Sequence, residues 1–111
     1  MGPLDGVGGP FSSLGGAGLE RKVYLVTYDL RLPATYPFLE SRIKQYTWGQ
    51  PLPNVWLVQT DEGRGSLQLS LEMATAPGDG LFIAELTRHF WCKGAQCKDE
   101  TLAAWQKAAG G

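Results

Sequence analysis

Short apolar runs separated by turn-forming clusters dominate this chain, and the most informative run is Val-Tyr-Leu-Val-Thr-Tyr-Asp-Leu at residues 23–30. Successive strand residues point to opposite faces. One face therefore carries Val23, Leu25, Thr27 and Asp29, and the other Tyr24, Val26, Tyr28 and Leu30. Neither face suits water. Such a strand is expected to be central in its sheet and covered on both sides. In so short a chain, the expected covers are helices on one side and a second copy of the chain on the other.

The rest of the pattern supplies the partners. Pro33 ends the first strand, and Tyr36, Leu39, Ile43 and Tyr46 then recur at helical spacing, with Glu40 and Lys44 four apart on the other side. Residues 47–53 contain two prolines and suit only a short edge strand. Residues 54–60 and 81–86 are two further apolar strands, bounded by Gly-rich turns. Between them Ser66-Leu-Gln-Leu-Ser-Leu-Glu-Met alternates like a strand, but the flanking strands require a crossover, so a helix is predicted with Leu67, Leu71 and Ala74 on one stripe. The order strand, helix, strand, strand, helix, strand predicts an α+β fold, a ferredoxin-like βαββαβ sandwich. His89-Phe-Trp-Cys reads as a short additional strand, and Asp99 as the cap of a C-terminal extension helix bearing Leu102 and Trp105. Three segments follow: a disordered Gly-rich stretch at 1–20, the ferredoxin-like domain at 21–88, and an extension at 89–111.

Composition narrows the function classes. Seven of the first 19 residues are Gly, too little apolar matter to offset the entropy of ordering. No run approaches the roughly 20 apolar residues of a membrane span, so a soluble, cytoplasmic protein with no membrane partner is expected. Residues 21–88 hold seven basic and seven acidic side chains, without the basic excess usual in nucleic-acid binders.

The three apolar strands, with Tyr28-Asp29 closing the first, resemble a group of small prokaryotic and phage proteins called SinR-like. These are similar in turn to the small CRISPR adaptation-complex subunit and to virulence-associated protein D. The resemblance covers about residues 22–88. It implies a domain that dimerises through its sheet, with Asp29 as a divalent-metal ligand and the catalytic residue of phosphodiester cleavage. Magnesium, commonly held by one or two carboxylates plus waters and phosphate oxygens, is the implied cofactor, bound where two Asp29 side chains meet at a dimer axis. The alternative is a non-catalytic protein-interaction or scaffold module.

Other residues keep two readings. Asp29 can equally terminate its strand by accepting backbone N–H bonds and pairing with Arg31. Tyr24, Tyr28, Trp56 and Phe82 can stack bases or pack an interface, so Tyr28, Arg31 and Trp56 are candidate nucleic-acid or interface contacts. Glu85 pairs with Arg88 or lies near the site as a second acid. His89, Cys92 and Cys97 offer three zinc ligands, one short of a closed structural site, and free thiols are the simpler expectation.

Overall fold

The computed structural model describes residues 21–110; the Gly-rich segment 1–20 lies outside them. The architecture is α+β. Strands β1 (Lys22–Asp29), β2 (Thr47–Leu52), β3 (Val55–Thr60) and β4 (Gly80–Glu85) form one sheet in the order β2-β3-β1-β4. Every neighbouring pair is antiparallel. Helix α1 (Tyr36–Ile43), preceded by a single 3-10 turn at Pro33–Thr35, joins β1 to β2, and α2 (Arg64–Glu72) joins β3 to β4. The C-terminal helix is α3 (Asp99–Gly110).

β1 is central because both its edges pair and both its faces are apolar. Its Tyr24, Val26 and Tyr28 meet Trp56 and Val58 of β3, and over them lie Leu39 and Ile43 of α1 and Leu67 and Leu71 of α2. Burying each aliphatic side chain contributes about 1.5–3 kcal/mol. The alternating segment is settled here: Leu67 and Leu71 are buried while Leu69 is 64 % exposed. A strand would have set all three on one face. β3 and β4 both run antiparallel to β1, so they are parallel to each other, and only a crossover helix can join them.

The β2–β3 hairpin closes through Pro53 and Asn54, with Leu52 opposite Val55. Asn54 takes φ 63°, a conformation asparagine tolerates better than most residues. Its carbonyl accepts the Thr27 hydroxyl at 2.8 Å, tying the turn to β1.

On the second face the chain's own α3 covers one half. Trp105, 1 % exposed, packs on Val23 and Leu57, with Leu86, Phe90, Ala108 and Ala109 around them. Gly49 permits this approach, since a Cβ there would lie 2.6 Å from Trp105 Nε1. The other half of the face, at Leu25, Thr27, Val55 and Ala84, is only partly covered, and Phe82 is 59 % exposed.

Three expectations are corrected. Residues 89–92 form no strand; they belong to an irregular connection at 86–98 that carries the chain over to α3. β4 is an edge strand and not a fully buried one, because β1 is its only partner among the described residues. Glu40 and Lys44 do not pair with each other. Glu40 accepts a bond from Tyr28, and the Lys44 ammonium lies 5.3 Å from the Trp48 ring centroid and 5.7 Å from that of Trp56. Cation–π attraction and a buried phenol compete successfully with an exposed helical ion pair worth only a few tenths of a kcal/mol.

Trp105→Ala is expected to cost about 3–5 kcal/mol in chemical denaturation, as loss of a buried aromatic does. Gly49→Ala should release α3 without unfolding the sheet, so limited proteolysis would cut residues 86–98 faster while far-ultraviolet dichroism keeps its strand signal. Unchanged cleavage in Gly49→Ala would show that α3 is not held by this contact.

Candidate interaction site at the Asp29 end of the sheet

Asp29 is the last residue of β1 and projects from the open half of the second face, opposite Gly80 of β4. It is exposed, and its carboxylate makes no hydrogen bond or ion pair among the described residues. Beside it Thr27, Tyr28, Gly80, Leu81 and Phe82 line a shallow cavity of about 280 Å³. Strand alternation places Thr27, Asp29 and Phe82 on one side, with Phe82 directly across from Thr27.

The turn-capping role open to Asp29 belongs instead to Asp79. Its Oδ1 accepts the Arg31 backbone N–H at 2.8 Å and its Oδ2 that of Ala76 at 2.7 Å. These two backbone bonds, with the Arg31 charge adding to them, hold the Asp79 carboxyl below the ordinary carboxylate range. The Arg31 side chain donates from Nε to the Gly78 carbonyl at 3.0 Å. Arg31 thus braces the turn before β4 and does not pair with Asp29.

Tyr28 and Trp56 point away from this surface, toward the helices. Trp56 Nε1 donates to the Tyr28 hydroxyl at 2.8 Å, and that hydroxyl donates to Glu40 Oε2 at 3.0 Å. The Tyr36 ring stands 5.7 Å from the Tyr28 ring. Both side chains are buried, so neither ring offers a stacking platform on this protomer; Tyr24 is buried as well. Phe82 is the exposed member of the four aromatic candidates. Desolvation pushes the Tyr28 phenol well above the ordinary tyrosine range; the Trp56 bond opposes that rise and Glu40 adds to it. This chain of donors and acceptors was not legible in the spacing, which pointed Glu40 outward. The one available signal was a Tyr and a Trp on the same face of adjacent strands, each with a polar atom to satisfy once buried.

Glu85 pairs with Lys22 at 3.3 Å, not with Arg88, because cross-strand neighbours are closer than the departing chain. His89 is exposed, and Cys92 and Cys97 are free thiols, half-buried. Burial raises the Cys97 thiol pKa, and nearby Cys92 and Asp99 add to the rise. Among the described residues no three His, Cys, Asp or Glu side chains gather as a metal group. Asp29 alone would supply one carboxylate. No helix among the described residues is long and apolar enough to cross a membrane.

A pH prediction follows from Tyr28. Its folded pKa is raised, so its contribution to stability is complete below the unfolded value of about 10 and is lost as pH climbs through the folded value. Melting temperature should therefore fall as pH rises above about 10, and Tyr28→Phe should flatten that fall in part, because Tyr24 and Cys97 are also raised by burial and contribute to it. Asp79 has the opposite sign: its contribution is present above the unfolded carboxyl value and lost as pH drops, so Asp79→Asn should be less acid-sensitive than the parent. An identical alkaline slope in Tyr28→Phe would refute the first assignment.

No protein-family model, curated protein or solved structure matches this chain.

Proposed function

We propose that this chain is a ferredoxin-like interaction module that pairs with a second copy of itself through the open half of its sheet. The observation that carries the reading is Phe82, a large aromatic 59 % exposed on a face whose other half α3 has closed. Leu25, Val55 and Ala84 surround it on the same side of the sheet. Two such patches pressed together would remove both rings from water at about 25 cal/mol per Å². The ferredoxin-like name is supported by the order β2-β3-β1-β4, with both crossover helices packed on one face. The even charge balance of residues 21–88 favours a protein partner over a nucleic-acid duplex. In this form the module is a non-catalytic scaffold.

A second reading is favoured by Asp29, which stands exposed at the rim of that same open half. Pairing there would bring two carboxylates to one rim, able to hold a magnesium ion between them. The ion would activate water and stabilise the transition state of phosphodiester cleavage. The relation to the CRISPR adaptation subunit, and a metal-dependent endonuclease activity, belong to this reading.

The protein should sediment as a dimer, and Phe82→Glu should weaken pairing by at least about a hundredfold with secondary structure intact. Cleavage of labelled RNA or DNA that requires magnesium, stops with chelator and disappears in Asp29→Ala while the dimer persists would select the nuclease. Absence of cleavage in the intact dimer would leave the scaffold. A wild-type monomer at every concentration would defeat both.

A further inference from the structure

The two edges of the sheet are built differently. β2 contains Pro51 and is bulged between Gly49 and Leu52. Gln96, from the connection to α3, lies along it, donating its backbone N–H to Pro51 O at 2.8 Å and its Nε2 to Gln50 O at 2.9 Å. Proline, a bulge and a covering loop are the usual devices for closing an edge against strand addition. β4 has none of them. It keeps continuous register along β1, and among the described residues nothing pairs with its outer side.

The register identifies the free groups. The Leu86 N–H donates to Val23 O at 2.8 Å, which makes that a hydrogen-bonded pair. By alternation, Leu25 with Ala84 and Thr27 with Phe82 are also hydrogen-bonded pairs. The backbone N–H and C=O groups of Leu81, Ile83 and Glu85 therefore point away from β1. An antiparallel copy centred on Ile83 would meet all of them. Ile83 then pairs with the partner's Ile83 and Leu81 with the partner's Glu85, each pair exchanging two bonds. That arrangement is two-fold symmetric, so it closes on itself.

The side chains above the edge carry the same symmetry. Arg64, Gln68 and Glu72 are spaced four apart along α2, so they form one stripe, and with Leu81, Phe82 and Ile83 they line a groove of about 290 Å³. Arg64 stands toward the Glu85 end, since its charge acts on Tyr24, which lies opposite Glu85. Glu72 finishes α2 and leads to the turn at the Gly80 end. Glu85 already has Lys22 at 3.3 Å, and Asp29 projects from the other face of the sheet. What remains beside the edge is a stripe that reads positive, neutral, negative. The two-fold turns it end for end. Arg64 then stands against the partner's Glu72, Gln68 against the partner's Gln68, and Glu72 against the partner's Arg64. A copy running parallel would set like charge against like at both ends.

We propose that the β4 edge is a self-pairing surface, joining two copies antiparallel about Ile83 into one continuous sheet with their α2 stripes facing across the seam. Backbone bonds exchanged against water and exposed ion pairs each contribute little, so this contact is weaker than burial of an apolar face. It is separate from the face pairing proposed above and does not rest on it. With both, face-paired dimers join into assemblies of four as concentration rises.

Sedimentation equilibrium of the full chain tests the charges. Arg64→Glu should weaken edge association by about tenfold or more, and adding Glu72→Arg, which restores the stripe in reverse, should recover it. The same series is run in Val55→Glu, which charges the open face with β1 between it and the seam. Face pairing is lost there, so failure of either contact is read without the other. Disulfide trapping tests the register in a Cys92→Ser, Cys97→Ser background. Ile83→Cys should cross-link into dimers on mild oxidation, because the two Cα atoms would lie about 5.5 Å apart. Leu81→Cys alone should not, whereas Leu81→Cys with Glu85→Cys should. Association indifferent to Arg64→Glu, a double variant no tighter than the single one, or no cross-link in Ile83→Cys would overturn the proposal. So would a Val55→Glu chain that stays monomeric at the highest attainable concentration, a result that leaves the edge to a strand of another protein.

Discussion

Everything in this fold depends on β1 being hydrogen-bonded on both edges while both of its faces are apolar. A strand of that kind is stable only between two covers, because each uncovered apolar face costs roughly 25 cal/mol per Å² left in water. The helix pair α1 and α2 meets this demand completely on one side, with Leu39, Ile43, Leu67 and Leu71 fully buried. On the other side α3 meets it only in part, through Trp105 against Val23 and Leu57. The unequal covering is what gives the molecule a surface to work with.

The polar interior follows from the same constraint. Tyr28 and Trp56 sit in the closed core, and each has a hydrogen that must find an acceptor there. The bonds from Trp56 to Tyr28 and from Tyr28 to Glu40 satisfy both and fix α1 against the sheet. Lys44 over the Trp48 and Trp56 rings keeps a compensating cation at the margin of this cluster. Side chains that looked suited to surface recognition therefore serve as internal ties. The exposed aromatic role passes to Phe82, on the opposite face.

The Asp29 end gathers the remaining distinctive chemistry. Asp79 and Arg31 hold the turn that delivers β4, and this leaves Asp29 projecting from the rim of the open half-face. One exposed carboxylate is a poor site by itself, so any chemistry there is tied to what covers the face. The edge of β4, in contrast, offers backbone groups whose availability comes from the ladder alone. Face and edge are two distinct surfaces of one strand, one apolar and one hydrogen-bonding.

Local pattern was enough to read the elements from β1 to β4 in their order: runs apolar on both faces for β1 and β3, helical spacing of Leu39 and Ile43, and glycine-rich turns at 61–65 and 77–80, whereas the strand it suggested at 89–92 does not form. The sequence also implied a crossover helix at residues 64–72, although Leu67, Leu69 and Leu71 alternate like a strand, since connectivity excludes the alternative. Tertiary structure alone decided which partner each polar group took. Glu40, Lys44, Arg31 and Glu85 all have nearby opposite charges in sequence, and each bonds elsewhere, because burial and cross-strand proximity outweigh exposed local pairing. It also decided that α3, through the gap left by Gly49, covers half of the second face. A sequence shows that a face is apolar, but what reaches that face depends on the path of the chain in space.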